Sequence, residues 1–183
     1  MSNIPFLYIN VTALCCFALM FVTFLATKKT PEIWAFMAVL LDCILWSGGS
    51  ILMRIQMWPG LRFWYAVSLV SLFSMELLFY LFVHTFARRK GRFLLTVFAL
   101  LTLAIMPGTI SGFYLSAPTP VQTPRGMVFL YDVNWHILIP CALFVAIIGS
   151  TLHLLLKVIR EQGIHSPGIR VIVMGGLIML VGN

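Results

Sequence analysis

The chain has 183 residues, 61% of them hydrophobic and 9% charged, with a net charge of +7 and a mean hydropathy of +1.04. A soluble domain carries roughly 25% charged residues, so neither a soluble globular core nor a disordered chain fits this composition. Four Cys in 183 residues do not make a secreted disulfide scaffold, and the composition is that of a protein crossing the bilayer several times.

A spanning helix needs about 20 mostly apolar residues. The first such run covers 4–26 and ends at Lys28-Lys29. Its positive charges follow the apolar stretch, the reverse of a cleaved secretory signal, so we read an uncleaved first span. Asn10-Val11-Thr12 matches a glycosylation acceptor but lies in or beside this span. The second run covers 33–53, and Trp58-Pro59-Gly60 then marks a turn. The third covers 63–87 and ends in Arg88-Arg89-Lys90-Gly91-Arg92; the fourth covers 93–113. A longer loop, Tyr114 to Asn134, holds Pro118, Pro120 and Pro124, and Pro124-Arg125-Gly126 sits where a small hairpin would turn. The fifth run covers 135–158, followed by a polar loop containing His165. The last run, 169–183, would be about 22 Å long as a helix, short of a hydrocarbon core of about 30 Å. We therefore read the chain as cut inside its sixth helix, either as a fragment or with its last segment packed against partners. The expected fold is an all-α polytopic bundle, a single domain over 1–183 with five full spans and a partial sixth.

Orientation follows from Lys and Arg in the loops. The odd-numbered loops hold nine of the twelve (Lys28, Lys29, Arg88, Arg89, Lys90, Arg92, Lys157, Arg160, Arg170), the even-numbered loops three (Arg54, Arg62, Arg125). The odd loops should face the cytoplasm and the N-terminus the outside. Basic residues split among three short loops do not form a nucleic-acid patch; membrane lipid head groups are the expected partners.

Charged groups inside a membrane are costly and mark interiors or cavities. Asp42 lies about ten residues into span two and Glu76 about thirteen into span three, so both should lie near the bilayer midplane. No Lys or Arg lies at that depth, and we expect at least one carboxyl to be neutral at pH 7. Ser47, Ser71, Ser74 and Tyr80 are within reach as hydrogen-bond partners. The pair reads either as a ligand or proton centre or as a neutral clamp between helices. His84 and His153 lie at matching depth, the minimum for bis-histidine haem ligation, though capping or snorkelling is the commoner use of such residues. Asp132, Asn134, Trp135 and His136 cluster at the start of span five. Pro107 and Pro140 should kink spans four and five in their outer halves, opening a cavity toward the outside; an aromatic belt explains the same residues without a ligand. Gly108 and Gly112 form a GxxxG on span four, which permits close packing in the bundle or a homodimer face. Cys15, Cys16, Cys43 and Cys141 lie within spans and should act as small apolar residues. No nucleophile–base pair, phosphate loop, HExxH or CxxC occurs, so no catalysis, cofactor or metal is expected.

The stretch "AFMAVLLDCILWSGGSILM", a short outer turn, and "RFWYAVSLVSLFSMELLFYLFVHTFARRKGR" carry a resemblance. Trp46 is followed by Ser47, Gly48 and Gly49; Phe63-Trp64 opens span three, and Phe79, Phe82 and Phe86 precede a basic loop. With "MVFLYDVNWHILIPCALFVAI" and "VIVMGGLIMLVGN", this resembles the N-terminal seven-transmembrane region of bacterial sensor histidine kinases and related diguanylate cyclases. The resemblance implies a multi-pass input module of the bacterial inner membrane, coupled to a cytoplasmic output domain or kinase partner. It places no kinase or cyclase residue in this chain. On that reading an unknown small or lipophilic signal binds in the outer half, with Asp42, Trp46 and Glu76 as the deep wall of the site and Asp132, Trp135 and His136 as its mouth. The alternatives are a small proton-coupled transporter relaying protons through Asp42 and Glu76, a haem-binding redox subunit, and a structural membrane subunit.

Overall fold

The structure is a computed structural model that describes residues 4–123 and 126–162. Among the described residues, five helices are long and apolar enough to cross a membrane. We number them α1 (Ile4–Leu25), α2 (Pro31–Arg54), α3 (Leu61–Phe86), α4 (Phe93–Ser111) and α5 (Leu138–Gln162). The apolar run 169–183 lies outside the described residues.

Each boundary has a local cause. The α2 helix starts two residues earlier than its apolar run, because Thr30 caps it through Ile33 N at 3.4 Å, Pro31 fits the first turn and Glu32 adds an acid there. It ends as Gln56 turns to φ 52° and Met57 N reaches back to Leu52 O at 3.1 Å. Arg88 does the same for α3 at φ 51°. In α4 the left-handed position falls on Gly112, φ 79°. Lys29 closes α1 by donating to Phe24 O at 2.6 Å and Leu25 O at 3.0 Å.

The order of packing is an arc. The α1 helix lies on α2, α2 on α3, and α3 on both α4 and α5. Asn10 is a packing residue, its amide donating to Ser50 Oγ on α2 at 3.4 Å. Large apolar side chains such as Leu19, Trp58, Phe93 and Leu103 point outward, as they must when the surrounding solvent is lipid.

The Tyr114–Asn134 loop is a hairpin. Strand β1 (Thr119–Thr123) pairs antiparallel with β2 (Gly126–Leu130), with Val121 opposite Val128. The ladder continues to the membrane end of the loop through Ser116 N to Asp132 O, 3.0 Å, and Asn134 N to Tyr114 O, 3.1 Å. Two features seat it on the bundle. The Tyr114 ring lies over Gly108, where an added Cβ would come within 2.6 Å of the ring. The Tyr65 hydroxyl donates to Leu115 O at 3.1 Å. The GxxxG of span four thus divides its work: Gly108 makes room for a tyrosine, and Gly112 turns the chain.

Candidate functional site

Three positions along α2 and α3 decide how the deep polar residues sit. Antiparallel packing puts Asp42 level with Ser74, and the Ser74 hydroxyl lies 3.0 and 3.1 Å from the two carboxylate oxygens. One residue on, Cys43 Sγ meets Met75 Sδ at 3.5 Å. Toward the hairpin, Ser68 Oγ donates to Trp46 O at 3.3 Å, and Gly49 lies so close that an added Cβ would be 3.3 Å from Ser68 N and Trp64 O. Small residues let the backbones approach, and polar ones join them. Ser47 and Ser71 are buried in the same region.

Glu76 is as buried as Asp42, but it looks elsewhere. Successive helix residues turn by about 100°, so Glu76 lies about 200° around α3 from Ser74. It shares a face with Tyr80, one turn on, which packs against Phe98 of α4 and Ile147 of α5. The expected deep wall therefore divides. Asp42 and Trp46 share a face of α2 against α3, while Glu76 is on another side of α3. Among the described residues Glu76 has no hydrogen-bond partner.

The expected mouth is assembled differently from the sequence reading. Asn134 caps a 3-10 turn, Trp135–Ile137, and its side-chain oxygen is 2.8 Å from His136 Nδ1. The His136 ring packs on Phe113 at 4.5 Å. Trp135 and Asp132 point outward, Trp135 in the manner of an interfacial belt. Pro140 is buried in the first turn of α5 and does not interrupt a longer helix. No intrahelical partner is needed for its nitrogen there, so the expected kink is replaced by the change from 3-10 to α geometry. Pro107 does lie inside α4, four residues before its end.

Two cavities among the described residues lie at the hairpin end; the sequence reading expected an outward cavity at spans four and five and placed neither of these. One of about 250 Å³ lies between α3, the end of α4 and the hairpin base, lined among others by Arg62, Tyr65, Ser111 and Ser116. A wider one of about 570 Å³ lies between the α2–α3 turn and β1, and Arg62 borders it too. The only advance sign of these was Arg62 itself, a cation on the sparsely charged side of the membrane. Tyr131, whose ring is 5.9 Å from that of Tyr65, completes the hairpin's contact with α3; burial pushes its phenol above the usual range.

The two histidines do not converge. His84 is buried on α3, its Nε2 2.7 Å from Gly91 O in the basic turn. His153 points outward from α5. Among the described residues no group of three His, Cys, Asp or Glu is placed to hold a metal.

The family model for the N-terminal seven-transmembrane region of histidine kinases matches residues 8–183. No curated protein and no solved structure matches significantly. The match covers nearly the whole chain, and the chain belongs to that family: a membrane sensor module of signal transduction.

Proposed function

We propose that this chain is the sensory input region of a bacterial inner-membrane signalling protein, with its N-terminus and hairpin outside and its basic loops in the cytoplasm. It detects a small or lipophilic signal at the hairpin end and passes a helix rearrangement to a cytoplasmic output of the histidine-kinase type. Family membership and the nine-to-three division of basic residues support this reading. A signal acts only by binding one arrangement of the helices better than another. The observation that carries the mechanism is the Tyr65–Leu115 hydrogen bond. It joins the hairpin to the first turns of α3, the helix that touches α2, α4 and α5 and runs on to the basic turn.

Orientation is tested by membrane-impermeant maleimide on intact cells. Val121→Cys should label from outside and Lys90→Cys only after permeabilisation, with the unsubstituted chain as background. The reverse pattern would overturn the arrangement. Coupling is tested by hydrogen exchange in nanodiscs. Tyr65→Phe should raise exchange in 126–130 severalfold and also change it at 84–91, at the far end of α3. A change confined to the hairpin would sink the proposed route.

A further inference from the structure

The 250 Å³ cavity at the hairpin end has a donor and acceptor set that can be counted. Arg62 makes no hydrogen bond or ion pair among the described residues, so none of them occupies its planar fork of donors. Ser116 Oγ already accepts from Asp132 N at 2.8 Å and keeps its own proton to donate. The other two hydroxyls are committed the opposite way. Tyr65 gives its proton to Leu115 O and Ser111 gives its proton to Gly108 O at 3.2 Å, so both can only accept. Ile110 and Ala117 supply apolar wall.

A cavity whose lining residues carry a guanidinium, one hydroxyl free to donate and two hydroxyls free to accept suits one kind of molecule. A carboxylate matches the guanidinium fork. A hydroxyl on the same molecule can donate to Tyr65 or Ser111. The volume corresponds to about eight waters at about 30 Å³ each, less than a drug-sized pocket. We infer that the cavity between α3, the end of α4 and the hairpin base binds a small hydroxycarboxylate, with Arg62 holding its carboxylate. Such a ligand would touch the hairpin base through Ser116 and α3 through Arg62 and Tyr65. That position bridges the two parts joined by the Tyr65–Leu115 bond. Its role as a signal rests on the function proposed above; its binding does not.

The test is calorimetric titration of the whole chain in zwitterionic nanodiscs. The probes are lactate and 4-hydroxybenzoate, their neutral amides, and inorganic phosphate. At least one acid should saturate and bind tenfold or more tightly than its amide. Arg62→Gln should abolish that preference. Arg62→Lys should retain part of it, since a point charge remains without the fork. Ser116→Ala should weaken the acid severalfold. Arg62 is solvent-exposed, and an unchanged helical circular-dichroism spectrum confirms that its variants fold. The inference is overturned if neither acid is preferred over its amide, or if Arg62→Gln binds like the unsubstituted chain. Phosphate binding as tightly as the acids, with no effect of Ser116→Ala, would leave a plain anion site and overturn the ligand class. Acid binding together with a reversed maleimide pattern would keep this site and remove the proposed orientation.

Discussion

The α3 helix holds its neighbours by two different means. Toward α2 it uses small residues and hydrogen bonds between helices: Gly49 against Ser68, Ser68 to Trp46, Ser74 to Asp42. Toward α4 and α5 it uses rings and aliphatic chains. Tyr80 meets Phe98 edge-on at 5.5 Å, and Val83 packs with Leu155. Of the described buried threonines on that side, Thr109 and Thr151 spend their hydroxyls inside their own helices, on Ile105 O and Ile147 O, and the Thr102 hydroxyl has no partner among the described residues. Among the described residues, the polar side-chain link from the α3 end to α5 is the exposed Arg89–Glu161 pair at 2.7 Å, and exposed pairs contribute little. Lipid offers no hydrophobic drive for helix association, so close packing and directed hydrogen bonds set the register of a helix pair. By this measure α2 and α3 form one fixed unit. The α4–α5 side, held among the described residues by contacts without direction, is the part we expect to shift.

The sharpest way to break the comparison is to place the same bulk at the α2–α3 contact and at a position on α5 outside any described contact. Gly49→Leu forces a side chain against the Ser68 and Trp64 backbone, which cannot swing away. We expect a loss of about 3 kcal/mol, or failure to recover a monodisperse protein. Gly149 of α5 is exposed, two residues from the buried Ile147 and Thr151 and so on the opposite face, and an added Cβ there meets nothing within 4 Å among the described residues; Gly149→Leu should be nearly neutral. Thermal unfolding of the two variants in one detergent measures the contrast. Equal losses would mean that the cost of Gly49→Leu does not come from a close α2–α3 contact.

Much of the bundle was legible in the sequence because lipid imposes long apolar runs. All five described spans and the hairpin lie where composition and turn residues put them. What was missed depended on rotation and on caps. Asp42 and Glu76 have matching depths, which a sequence shows, but a helix turns by about 100° per residue. A two-residue offset between Ser74 and Glu76 was enough to separate the two acids. Pro140 was read as a kink because the 3-10 turn before it has no apolar signature. The cavities at Arg62 formed where the hairpin base meets α3 and the end of α4. Their walls come from three segments far apart in the chain, and no single stretch announces them.

A smaller effect sharpens the same contrast. Ser74→Ala removes the hydroxyl at Asp42 and leaves the carboxyl buried. Hydrogen bonds between membrane helices average about 0.6 kcal/mol and reach about 1.7 kcal/mol, and Asp42 loses a partner it cannot replace from water. We expect about 1 to 2 kcal/mol. A double-mutant cycle with Asp42→Ala should return a coupling of at least about 0.5 kcal/mol. A coupling near zero would reduce the contact to mere proximity.

The smallest expected effect is the most exacting, because it requires a buried polar group to be dispensable. Thr151 is 5% exposed and lies in the helix that packs on α3. Its hydroxyl donates to Ile147 O at 2.8 Å. That carbonyl has two lone pairs and is also placed to accept the backbone N–H of residue 151, as in any α-helix. Replacing Thr151 by Val keeps the branched shape and takes away donor and acceptor together, leaving no orphan behind. The hydroxyl's bond was local, so nothing that joins α5 to α3 is lost. Thr151→Val should therefore change stability by no more than about 0.5 kcal/mol. If it costs as much as Ser74→Ala, a polar link does cross to α5, and the division of α3 into a fixed side and a movable side fails.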